Sequence, residues 1–149
     1  MYIRTEKRLV EIEDRIYIAN DGTEFKTETE CVEYEKQLDI VDLRERADKL
    51  RLNALDGTYP LDTDAQYISD YHSYTWYQVC DEEDYNVLLN LYGDDVVKPC
   101  SYPEIICVEY EEDYGNDVWT YLLSDMMQST LIFWKNFGYD VSFKGVREL

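Results

Sequence analysis

Apolar and polar positions alternate along the start of the chain, at Leu9, Glu11 and Glu13 and again at Ile16 and Ile18. A two-residue period is that of a strand with one face inward, so two strands or one long bent strand are predicted. Asn20, Asp21, Gly22 and Thr23 then make a turn, because Asn, Asp and Gly tolerate the positive φ of tight reversals. A short strand through Phe25 closes a hairpin. Thr27 and Glu30 have the spacing of a capping box, in which each side chain satisfies a free backbone N–H, so a helix begins near Glu28. Its apolar positions run Cys31, Tyr34, Leu38 and Val41, then shift register to Leu43, Ala47, Leu50 and Ala54. The shift predicts a break near Asp39 and a second helix reaching Leu55. Asp42 with Arg46 and Glu45 with Lys49 lie four apart and predict ion pairs on its outer face.

The pattern changes at residues 55–64, a loop, and residues 65–79 are rich in Tyr, Ile, Trp and Val, as one or two strands would be. Asp81 caps a helix whose inward positions are Val87, Leu88, Leu91 and Tyr92, with Gly93 as its stop. Residues 103–112 form a strand, with Ile105, Cys107 and Glu109 on one face and Ile106, Val108 and Tyr110 on the other. Residues 113–117 are a turn. From Asp117 the apolar stripe Val118, Leu122, Met126, Leu131, Trp134, Phe137 predicts the longest helix, closed by Gly138, and residues 139–143 a final strand. The sum is α+β: a mostly antiparallel sheet with several packed helices in one domain spanning 1–149, without βαβ units or internal repeats.

Composition sharpens this picture. The chain has 149 residues, 45% of them hydrophobic, enough to bury a core. No apolar run nears the length of a membrane helix, and the N-terminus lacks the apolar core of a signal peptide, so a cytoplasmic protein is expected. Cys31, Cys80, Cys100 and Cys107 include no CxxC pair and are expected as buried reduced thiols. His72 is the only histidine, which removes most His-ligated metal sites.

Net charge is −19, unevenly spread. Residues 1–55 are a mixed surface with ten bases and fourteen acids, whereas 56–149 hold four bases and nineteen acids. Between 56 and 134 seventeen acids accompany one base, Lys98. Such a field repels nucleic acid and anionic membrane and steers basic partners in.

The stretch IANDGTEFKTETECVEYE, a strand, a DG turn, a Phe and a capping Thr leading into a helix with Cys and a Tyr-Glu pair, resembles small phage proteins of low-GC Gram-positive bacteria. YTWYQVCDEEDYNVLLNLYG, a strand running into an acidic helix start, is similar to them as well. The resemblance covers about a third of the chain and implies a phage or mobile-element origin, without assigning any functional residue.

Catalytic templates fail one after another. No calcium loop has the required acid spacing before a glycine, and GxxxxGK[ST], GxGxxG and GxSxG are absent. Asp14 with Glu24 and Lys26 has the Asp…Glu-x-Lys form of metal-dependent nucleases, in which two carboxylates hold Mg²⁺ and a lysine stabilises developing charge. A strongly acidic nuclease would repel its substrate. His72 is read as a hydrogen-bonded sheet residue. The acid field itself has three explanations: solubility and helix capping, metal chelation by Glu109, Glu111, Glu112 and Asp113, or mimicry of the phosphate backbone.

The expectation is therefore a protein that binds and does not catalyse, without cofactor or metal. Its partner would be a basic nucleic-acid-handling protein of a bacterial host, a CRISPR effector or a restriction enzyme, met in the host cytoplasm without direct nucleic-acid or membrane binding. The expected contact set is Glu109, Glu111, Glu112, Asp113 and Asp117 with Tyr110 and Tyr114, and a second cluster of Asp81, Glu82, Glu83, Asp84, Asp94 and Asp95. Phage assembly or scaffolding, and nuclease activity, are the alternatives.

Overall fold

The computed structural model describes residues 1–6, 9, 14–61, 72–111 and 117–149. Glu11 and Glu13, residues 65–71 and the turn at 113–116 lie outside them. The architecture is α+β, and both sheets are antiparallel. The chain forms two compact units, Met1–Ile40 and Val41–Leu149.

The first unit is built on the predicted hairpin. β1 (Tyr17–Ile18) pairs with β2 (Glu24–Phe25), with Gly22 at φ 90° in the turn. α1 (Glu28–Leu50) starts where the capping box places it, Glu30 N–H donating to Thr27 Oγ1 at 3.3 Å. The turn is tied to this helix by Tyr34, whose hydroxyl donates to Asp21 Oδ2 at 2.9 Å and whose ring meets Phe25 at 5.0 Å. Ala19 and Cys31 are buried.

The break expected near Asp39 does not occur, since α1 is one helix of 23 residues. The boundary between the compact units falls at Ile40, where the apolar register shifts, but backbone hydrogen bonding continues through a stretch free of Gly and Pro. Nor does Arg46 pair with Asp42; its Nη2 reaches Glu83 at 3.2 Å.

The second unit centres on a three-stranded sheet in the order β3 (His72–Val79), β4 (Glu104–Glu111), β5 (Asp117–Leu122). Register places Tyr77, Ile106 and Leu122 in one row, flanked by Val79 and Val108, on a face that meets Ala47 of α1 and Leu88 of α2 (Glu82–Tyr92). The opposite face carries Trp76, Cys107 and Tyr121 in a row, packed with Leu52 and with Met126 of α3 (Leu123–Asn136). After α1 the chain is held to β3 by Leu52 N–H on Trp76 O at 2.8 Å, and Trp76 Nε1 donates to Thr58 O at 2.8 Å.

Four expectations are corrected here. The first six residues of the predicted longest helix are strand β5, because Val118, Trp119, Thr120 and Tyr121 are β-branched or aromatic and find a full ladder on β4. α3 has 14 residues, so α1 is the longer helix. Residues 139–143 form no strand. Gly138 N–H bonds to Lys135 O and Tyr139 N–H to Trp134 O, a Schellman closure, and no sheet edge meets the chain beyond it among the described residues. Of the cysteines, Cys31 and Cys107 are buried, whereas Cys80 and Cys100 are exposed.

The core carries a pH signature. Burial pushes the Cys107 thiol from its ordinary 9.0 up to about 12, and burial likewise raises the Tyr77 and Tyr92 hydroxyls, which meet at 2.5 Å. These groups are neutral when protonated, so above their unfolded values the folded chain keeps protons that the unfolded chain releases. The contribution of Cys107 to stability is full below pH 9.0 and declines between there and about 12, and that of the two tyrosines is full below 10.0 and declines above it. Urea midpoints measured from neutral pH to about pH 11 should fall only in the alkaline range, by about 1 kcal/mol per pH unit from Cys107. Cys107→Ala should flatten that slope; an unchanged slope would rule out the thiol as its source.

Candidate functional site

The helix that carries the second acidic cluster uses part of its charge to exist. Asp81 precedes α2 and accepts from Asp84 N–H at 2.9 Å, while Asp84 Oδ2 accepts from Cys80 N–H at 2.9 Å. The first bond satisfies a donor that the first turn leaves open and the second fixes the residue before the cap, while Glu82, Glu83 and Asp84 complement the helix dipole. Glu82 accepts from Lys98 Nζ at 2.8 Å and from Tyr102 hydroxyl at 2.9 Å, which hold its carboxyl below the ordinary range. Glu83 meets Arg46. Both glutamates nevertheless stay at the surface, with 53% and 81% of their side chains exposed.

Asp94 and Asp95 follow Gly93, whose φ of 97° ends the helix, and both are exposed. Their loop is pinned by Thr120, whose hydroxyl accepts from Val97 N–H at 2.9 Å and donates to Asp95 O at 3.2 Å. Asp117 opens β5 and is exposed. Glu112, Asp113 and Tyr114 lie outside the described residues. Tyr110 is partly buried on the face of β4 that turns toward α1.

Glu109 departs most from expectation. Its side chain stands in the middle of the sheet, 6% exposed, and its oxygens accept from His72 Nδ1 at 2.9 Å, Tyr74 hydroxyl at 3.0 Å and Tyr121 hydroxyl at 2.6 Å. A buried carboxylate is tolerated only when it is so satisfied. Glu109 is thus corrected from a partner contact to the centre of a polar network. Glu111, one turn of the pleat away, is partly buried with its Oε1 3.5 Å from His72 Nε2. His72 is the hydrogen-bonded sheet residue expected, lying near-parallel to Trp119 at 6.2 Å between ring centres.

Sequence reasoning missed this network because two of its members, Trp119 and Tyr121, were placed on a helix. Read as a strand, residues 117–122 would have put Tyr74, Glu109 and Trp119 in one row and His72, Glu111 and Asp117 in the next.

The nuclease-like residues do meet. Asp14, Glu24 and Lys26 line a recess of about 490 Å³ beside the β1–β2 hairpin, and all three side chains are exposed. Among the described residues, no three His, Cys, Asp or Glu side chains stand close enough together to hold a metal ion. No helix of the described chain is long and apolar enough to cross a membrane. Compared with known protein families, curated proteins and solved structures, the chain matches none of them.

Proposed function

We propose that this protein acts by binding a basic protein that handles nucleic acid in a bacterial host, a CRISPR effector or a restriction enzyme, and that its acidic surface occupies the channel meant for DNA or RNA. One observation carries the reading: between residues 56 and 134 seventeen carboxylates accompany a single base, and that base, Lys98, is held by Glu82 at 2.8 Å. Glu82 and Glu83 project from α2, Asp117 from β5 and Asp94 and Asp95 from the loop that Thr120 pins, so binding would not have to order a floppy acidic tail. Channels that release counterions on meeting phosphates respond in the same way to carboxylates. The phage-like strings at the hairpin and at α2 fit an origin in which host defence is the target.

The test is a pull-down from bacterial lysate eluted with a salt gradient, using wild type and an Asp94→Asn/Asp95→Asn/Asp117→Asn variant. A nucleic-acid enzyme should elute at moderate salt, and the variant should bind about tenfold more weakly or worse with a shallower salt slope. Equal retention of the variant would remove the acidic surface from the interaction.

A second reading, assembly or scaffolding, is favoured by the end of α3. Phe133, Trp134, Phe137 and Tyr139 are 42–66% exposed and meet one another edge-to-face or tilted, with ring centres 5.2–5.9 Å apart. Exposed aromatics of this kind are common interface anchors. In that case association persists in high salt and is lost with Trp134→Ala, so the same gradient separates the two readings.

A further inference from the structure

The acid field has an exception in the second unit. On the sheet face opposite the Glu109 network, α1 and the C-terminal end of α2 frame a cavity of about 460 Å³, within the range of small-molecule sites. Its floor is Ser73, Thr75, Val108 and Tyr110 of β3 and β4, and Tyr77 and Tyr92 stand at one side. Arg44 and Asp48, four apart on one face of α1, form the rim with Arg51, the residue after the helix, whose backbone bridges to Tyr77 of β3.

These groups are complementary to an anion. Arg51 uses Nη2 to hold both oxygens of Asp56 at 3.2 Å, which fixes the guanidinium in place, and its other N–H donors meet no acceptor among the described residues. Arg44 makes no ion pair among the described residues. Arg51, Asp48 and Arg44 all act electrostatically on the Tyr92 hydroxyl, the arginines against Asp48, so the rim charges reach the cavity wall. Asp48 is the one carboxylate on the rim. Its oxygens accept hydrogen bonds, which favours a ligand that also offers a hydroxyl or an amine. Ser73 and Thr75 add hydroxyl groups to the floor, and Ala47, Leu91 and Val108 an apolar patch.

We propose that this cavity binds a small organic oxyanion, a phosphate monoester or a carboxylate bearing hydroxyl groups, clamped by Arg44 and Arg51 with Asp48 holding a ligand hydroxyl. The fork of a guanidinium matches two oxygens of either group, and two forks over a hydroxyl-lined floor are the arrangement that oxyanion recognition uses. The site is independent of the acidic surface proposed to meet a protein partner. It would give the protein a small-molecule input, or make it a sequestering agent for the anion.

Calorimetric titration of the full chain with ribose 5-phosphate, adenosine 5′-monophosphate, citrate and uncharged ribose tests it. One-to-one binding of at least one of the three anions and none of ribose is expected, and the preferred anion assigns phosphate or carboxylate. Arg44→Gln should weaken binding about tenfold or more, Arg44→Lys less, since it keeps the charge and loses the fork. Lys135→Gln removes the same charge from α3, outside the cavity, and should leave affinity unchanged. Arg44 is exposed and unpaired among the described residues, so its variants should fold, as far-ultraviolet circular dichroism would verify. Absence of anion binding at millimolar concentrations, or equal weakening by Arg44→Gln and Lys135→Gln, would overturn the proposal.

Discussion

Replacing Glu109 with alanine is expected to cost about 3–5 kcal/mol of stability, although the position lies in the most acidic stretch of the chain. The substitution removes the shared acceptor of His72 Nδ1 and of the Tyr74 and Tyr121 hydroxyls inside a sheet where Glu109 is 6% exposed. Hydrogen bonds to a charged group contribute about 1.5–3 kcal/mol each, and three on one carboxylate do not add in full. Glu109→Gln keeps a carbonyl acceptor and should cost about 1–2 kcal/mol. Urea unfolding of both variants and of Tyr121→Phe would measure the couplings. A loss below about 1 kcal/mol for the alanine variant would mean that the network is replaced by water. The same variants bear on function: a buried carboxylate contributes little to steering, so Glu109→Gln should leave the salt slope of partner binding unchanged.

Ile106→Ala is expected to be similarly damaging for a different reason. Ile106 is fully buried on the central strand, in a row with Tyr77 and Leu122 and in the cluster that includes Val79, Leu88 and Ala47. Truncation removes transfer energy and leaves a cavity that a sheet with a helix packed against it cannot close, which costs about 3–5 kcal/mol. Against a typical margin of about 5–15 kcal/mol this lowers the melting temperature by roughly 10 °C. Ile106→Val should cost about 1 kcal/mol. If the alanine and valine variants melted together, the face toward α1 and α2 would not be the main core.

Local signals in the chain were reliable where the chemistry they announce is itself local. The hairpin at Asn20–Thr23, the Thr27–Glu30 cap and the Asp81 cap each form within a few residues, and each is found where its pattern placed it. Residues 117–122 defeated the same approach, since their apolar spacing satisfies a helix and a strand alike, and only the ladder on β4 decides between them. The start of α3 was hidden for a related reason. Its flanking residue, Leu122, offers no side-chain cap, and the cap comes from Glu104, twenty positions earlier, whose carboxylate accepts from Ser124 N–H at 3.3 Å and from the Ser124 hydroxyl.

The candidate surfaces divide along the same line. Sequence by itself determined the α+β class, the acid excess between 56 and 134 and the isolation of Lys98 within it, because composition and short-range periodicity survive any fold. Tertiary structure alone decided which acids face water. Cross-strand register drew Glu109 in among Tyr74, Tyr121 and His72, long-range capping occupied Glu104, and the packing of α1 together with the bridge from Arg51 to Tyr77 set Arg44 and Arg51 around one cavity. Each of these depends on residues tens of positions apart becoming neighbours, and the free energy that selects them, burial with every polar group satisfied, belongs to the folded chain as a whole.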